Sequence, residues 1–115
     1  MAATIYHNPR CSTSRKVLEA IRAHGVEPEI VLYLETPPDR AVLTGLLARA
    51  GLTAGDILRR KEPLYKELGL DAPGTSDAQV LDALLAHPIL IERPLVETGK
   101  GVRLCRPVEL VEELF

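Results

Sequence analysis

The chain has 115 residues, of which 46% are hydrophobic and 26% charged, with a formal net charge of -2. That length is one ordinary domain, and that apolar fraction is enough to build a core. Slight acidity and an aromatic content of only 3% argue against a nonspecific binder of nucleic acid or of a membrane surface.

Ala3 to Tyr6 reads as a short buried strand, stopped by Asn8-Pro9. The next segment puts Ser14, Val17, Leu18 and Ile21 on one helical face, and Gly25 suits its C-terminal cap. Glu29 to Leu34, β-branched and apolar in its middle, predicts a second strand. Thr36-Pro37-Pro38-Asp39 breaks the chain and suits a helix start, after which Leu43, Leu46, Leu47 and Ala50 repeat at helical spacing up to Gly51. Thr53 to Leu58 predicts a short helical turn capped by Thr53, and Pro63 to Leu68 another, closed by Gly69. Ser76 and Gln79 have capping-box spacing ahead of an apolar stripe of Val80, Leu81, Leu84 and Leu85, with Pro88 as terminator. Leu95 to Glu97 and Val102 to Cys105 flank Thr98-Gly99-Lys100-Gly101 as a hairpin. Pro107 suits the first turn of a last helix carrying Val108, Val111 and Phe115.

The resulting order is β-α-β, then helices over about 39–87, then β-β-α. It resembles an α/β thioredoxin-like core with a helical insertion between its halves, within a single domain spanning 1–115. No stretch approaches a transmembrane span, and the N-terminus lacks the basic-then-apolar pattern of an export signal.

The most informative segment is Tyr6-His7-Asn8-Pro9-Arg10-Cys11-Ser12-Thr13-Ser14-Arg15. It sets a sulfur at the start of a helix, where unpaired backbone N–H groups favour negative charge. Arg10 and Arg15 flank it and His7 lies four residues back. A free thiol titrates near 8.5, and such surroundings lower that to roughly 3.5–7.5. A lone cysteine is more often a small buried hydrophobe, but Asn, Pro, Ser, Thr and Arg make a poor lining for one. Cys11 therefore reads as a nucleophile.

Cys105, beside Leu104 at a strand end, reads as structural, with a resolving role as the alternative. Two cysteines are too few for a disulfide scaffold, so both are expected as reduced thiols in a cytoplasm. There is no Cys-x-x-Cys and no zinc-site spacing, so neither a metal nor a tightly bound cofactor is expected.

Three arginines stand out downstream. Arg59 follows an apolar pair, Arg93 lies between Glu92 and Pro94, and Arg106 lies between Cys105 and Pro107. Arginine holds tetrahedral oxyanions through paired N–H donors and never loses its charge. Any one of them alone also fits a solvated surface residue, and sequence does not show that they meet.

The Cys11 segment is similar to the active-site loop of the glutaredoxin-coupled arsenate reductases, the ArsC family. The similarity continues in Leu32-Tyr33-Leu34-Glu35-Thr36-Pro37, Tyr65-Lys66-Glu67-Leu68-Gly69-Leu70, His87-Pro88-Ile89-Leu90-Ile91-Glu92-Arg93-Pro94 and Arg103-Leu104-Cys105-Arg106-Pro107. The resemblance implies Cys11 as the sulfur that attacks arsenic and Arg59, Arg93 and Arg106 as oxyanion-binding residues. It implies that His7 helps keep the sulfur ionised, that Ser14 and Arg15 support the thiolate, and that Pro94 is the cis-proline beside it. It also implies arsenate as substrate, glutathione as co-substrate and glutaredoxin as reductant. Ser14 stands where a resolving cysteine would be, so the second thiol comes from outside. Two alternatives are a glutathione-dependent thiol oxidoreductase of another substrate and a redox-sensing regulator that binds RNA polymerase. The regulators typically carry Cys-x-x-Cys, which is absent here.

Overall fold

The computed structural model describes all residues, Met1–Phe115. The chain divides into two compact units, Met1–Pro37 with Arg93–Phe115, and Pro38–Glu92. No helix is long and apolar enough to cross a membrane.

The first unit contains β1 (Ala3–Tyr6), α1 (Ser12–Ala23), β2 (Glu29–Val31), β3 (Leu95–Thr98), β4 (Gly101–Leu104) and a closing 3₁₀ helix, Val108–Leu114. The sheet order is β2-β1-β3-β4. β2 runs parallel to β1, with Ile5 opposite Ile30, while β3 runs antiparallel to β1, with Ile5 opposite Val96. Strand alternation turns Ala3 and Ile5 to one face. There they form a buried cluster with Val96, with Val17, Leu18 and Ile21 of α1, and with Cys105, Val111 and Leu114. α1 forms because its apolar residues recur at i, i+1 and i+4. It stops because Gly25 adopts φ 76°, a left-handed conformation that glycine accepts without steric cost.

The hairpin strands reach one residue further into the turn, with Cys105 outside β4, and two other elements differ more from the sequence expectation. β2 ends at Val31, not Leu34. Its neighbour β1 ends at Tyr6, the His7 N–H donates to the Val31 carbonyl as the last link (2.8 Å), and the chain then turns, with the Leu32 carbonyl accepting from Glu35 and Thr36. The last helix is 3₁₀ throughout, and Pro107 lies at its cap rather than in its first turn. The physical reason is the spacing of Val108, Val111 and Leu114. A three-residue period stacks them on one side of a 3₁₀ helix, facing the core.

The second unit contains α2 (Arg40–Ala50), α3 (Pro63–Glu67) and α4 (Asp77–Ala86), with 3₁₀ turns at Ala54–Ile57 and Pro88–Leu90. Asp39 caps α2, and both expected caps form. Thr53 and Asp56 exchange bonds as a capping box, as do Ser76 and Gln79. Leu43, Leu46, Leu47, Ile57, Leu84 and Leu90 are buried. Asp77 reaches back from α4 to accept from the Ala54 and Gly55 N–H groups (3.2 and 3.0 Å), which fixes the 3₁₀ turn that leads into Arg59. An isolated bridge between Leu58 and Ile91 and the Arg59 N–H to Leu90 carbonyl bond (2.7 Å) hold that segment.

Candidate active site

Cys11 is the N-cap residue of α1. Its backbone is extended, its N–H donates to the Asn8 carbonyl (3.0 Å), and its carbonyl accepts the first helical bond, from Arg15 (3.0 Å). The loop is wound tightly because Asn8 works twice. Its Oδ1 accepts from the Arg10 N–H (3.0 Å) while its carbonyl takes Cys11. In the sequence Asn8-Pro9 reads only as a strand stop, although Asn is a turn former whose side chain bonds the backbone two residues on.

Two arginines from the far end of the chain reach the sulfur. Arg106 Nη1 lies 3.7 Å from Cys11 Sγ and donates to the Arg93 carbonyl (3.1 Å). Partial burial pushes the Cys11 thiol up, but the Ser14 backbone N–H, the Arg93 guanidinium and the Arg106 guanidinium all favour the anion. The balance leaves it lowered to about 7. Arg93 also carries a buried Nε with no hydrogen-bond partner. A buried guanidinium N–H without a partner carries an uncompensated desolvation cost. Pro94 is buried and joined to Arg93 by a cis bond, and its carbonyl accepts from the Cys105 N–H (3.0 Å).

His7 and Ser14 form the buried support of the loop. His7 Nδ1 lies 2.6 Å from Ser14 Oγ, which also accepts from the Asn8 N–H (3.1 Å). Burial lowers the His7 pKa, and Arg15 and Arg22 push the same way, so its neutral form is favoured. The hydrogen bond of His7 goes to Ser14, in the first turn of the helix that Cys11 caps. Arg15 donates through Nη1 to the Pro9 carbonyl (2.8 Å), bracing the loop from the solvent side.

Arg59 belongs to the second unit, where Nε donates to Glu62 (3.0 Å) and Nη1 to Glu92 (3.1 Å). These two carboxylates escaped the sequence reading, although Glu62 lies three residues from Arg59. Cys105 is fully buried, and burial pushes its thiol up to about 12. No group of three or more His, Cys, Asp or Glu side chains is placed to hold a metal ion.

Comparison with known proteins gives the same picture over the whole chain. The profile of the ArsC family matches residues 6–114. A protein of Rhizobium meliloti (strain 1021) named "Arsenate reductase" is 52% identical over 115 residues, covering 100% of this chain and 82% of the relative. One from Escherichia coli (strain K12) with the same name is 51% identical over 112 residues, covering 97% and 79%. A solved structure, "Arsenate reductase from Vibrio cholerae", superposes with a TM-score of 0.94 at 41% identity, covering 100% of this chain and 98% of the other. The fold is thioredoxin-like, with a mixed four-stranded sheet and its helices.

Proposed function

The chain belongs to the ArsC family, and from that membership and the surroundings of Cys11 we infer that it reduces arsenate to arsenite. The observation that carries the reading is the sulfur itself, a cysteine at a helix start with two guanidinium groups beside it and a pKa lowered to about 7.

Arsenate is a tetrahedral oxyanion, and a thiolate approaches another anion only if the charge of the latter is met. Arg93 and Arg106 supply fixed N–H donors for its oxygens. The resemblance adds Arg59 as a third. The Cys11 sulfur then forms a bond to arsenic as one oxygen leaves as water. A glutathione thiol condenses at the same arsenic and expels a second oxygen as water. When a glutaredoxin thiol attacks the glutathione sulfur, a disulfide forms, two electrons pass to arsenic, and arsenite leaves with Cys11 restored by water. In sum, one arsenate and two external thiols give arsenite, one disulfide and one net water. Glutathione and glutaredoxin enter this scheme as co-substrate and partner, and no tightly bound cofactor is required. A reducing cytoplasm is the compartment that keeps such thiols available.

The test is a coupled assay with glutathione, glutaredoxin, glutathione reductase and NADPH. Arsenate should start NADPH oxidation, Cys11→Ser should abolish it, and Cys105→Ser should retain most of it. No arsenate-dependent oxidation by the unaltered chain would refute the reading.

A further inference from the structure

A pocket of about 280 Å³ opens in the first unit beside the Cys11 loop. One wall is the loop after β1, with Asn8, Pro9 and Arg10, and the other is the turn after β2, with Leu32, Leu34 and Glu35. β1 and β2 are parallel, so the pocket lies beyond the carboxyl ends of two neighbouring parallel strands.

The lining has an unusual charge arrangement. Arg10 bonds through its backbone N–H to Asn8, but its guanidinium has no carboxylate partner. Glu35 bonds through its backbone N–H to Leu32, and its carboxylate has no cation. Both are exposed, of opposite sign and on one pocket, and they do not pair with each other. Pro9, Leu32 and Leu34 add apolar surface to the same lining, and His7 completes it. An inorganic oxyanion suits this pocket poorly, because Glu35 repels it. A zwitterion with a short hydrocarbon stem meets both charges and the apolar surface.

We propose that this pocket binds the γ-glutamyl end of glutathione, its α-carboxylate on Arg10, its α-ammonium on Glu35 and its methylenes on Leu32 and Leu34. The inference rests on the reading of glutathione as co-substrate. Just below the roughly 300–1,000 Å³ range of whole-ligand pockets, the volume suits one end of a tripeptide. The remainder then extends toward Cys11, which follows Arg10 directly, about 3.8 Å away from Cα to Cα.

The experiment titrates S-methylglutathione, which has no free thiol to react, into the unaltered chain and follows backbone amide resonances. Asn8, Arg10, Leu34 and Glu35 should shift, and S-methylcysteinylglycine, which lacks the γ-glutamyl end, should not shift them. Arg10→Ala and Glu35→Gln should each weaken binding about tenfold, the size of one lost charge-assisted hydrogen bond. They should raise the KM for glutathione equally and leave the KM for arsenate unchanged. Equal shifts with the truncated analogue, or an unchanged glutathione KM in both variants of an active enzyme, would overturn the pocket assignment alone. Absence of glutathione-dependent arsenate turnover in the unaltered chain would overturn the reading beneath it.

Discussion

Arg106 and Cys11, 95 positions apart in the chain, meet at 3.7 Å between Nη1 and Sγ. The contact does two things at once. It stabilises the thiolate before substrate arrives and leaves the other guanidinium nitrogens available to an oxyanion. Arg106→Ala should therefore raise the Cys11 pKa, by about one unit for each ~1.4 kcal/mol of differential interaction removed. It should also raise the KM for arsenate about 10–100-fold, as expected for loss of a hydrogen bond to a charged group. Alkylation against pH reads the first effect and steady-state kinetics the second. A variant with an unmoved alkylation midpoint would show that Arg106 does not act on the sulfur.

The two cysteines should separate completely in their response to pH. Iodoacetamide alkylation of Cys11 should rise with a midpoint at about 7, while Cys105, buried and pushed up to about 12, should stay unmodified in the folded chain. Mass spectrometry after limited alkylation checks this. The linkage to stability has a definite sign. A thiol with a lowered folded pKa contributes stability that is fully present above its ordinary value near 8.5. That contribution is lost as the pH falls through about 7. Cys11→Ser should flatten that part of the stability profile.

Ser14→Ala should destabilise the fold by about 1–3 kcal/mol, because it leaves the buried Asn8 N–H and His7 Nδ1 without their partner. Urea unfolding measures this. The same variant should slow Cys11 alkylation at pH 7, since the loop that presents the Ser14 N–H to the sulfur loosens. His7 adds an acid sensitivity. Its lowered pKa means that the unfolded chain binds a proton more readily, so its contribution to stability falls as the pH drops below about 6.5.

Glu62 and Glu92 hold Arg59 from two sides. Glu92→Gln should leave the Cys11 alkylation midpoint in place and raise the KM for arsenate several-fold, on the order of one partly exposed ion pair of about 1 kcal/mol. Arsenate KM measured beside the alkylation curve separates this from a general loss of structure. An unchanged KM would remove Arg59 positioning from the role assigned to Glu92.

What could be read from the chain alone was local. The capping boxes at Thr53 and Ser76, the Gly25 stop and the Thr98–Gly101 turn are encoded within a few residues of where they act, and each forms. The length of β2 was not legible, because it depends on where the neighbouring β1 ends, 25 positions earlier (Tyr6 opposite Val31). The 3₁₀ geometry of the last helix was present in the three-residue spacing of Val108, Val111 and Leu114, but a helical period was read instead. Cys11 stood out by its surroundings in the sequence. The partners that tune it, Arg93 and Arg106, could be named singly, and only the folded sheet brings them to the sulfur. Asp77 on the turn before Arg59 is a contact across 22–23 positions and left no local trace.

Arg93 and Arg106 each lie two residues beyond the Leu95–Leu104 pair, on the open side of a hairpin whose closed end is the exposed Gly99-Lys100 turn. The ladder between them is three steps long, about 10 Å. The spacing of the two guanidinium groups is thus set by pairing register at one end, while the opposite end is held through Lys100, which donates to Thr98 and to the Phe115 carbonyl. A purification epitope spliced between Gly99 and Lys100 would disturb that hold without touching the chemistry at the open end, whereas a one-residue deletion inside either strand would swing one arginine to the wrong side of the sheet.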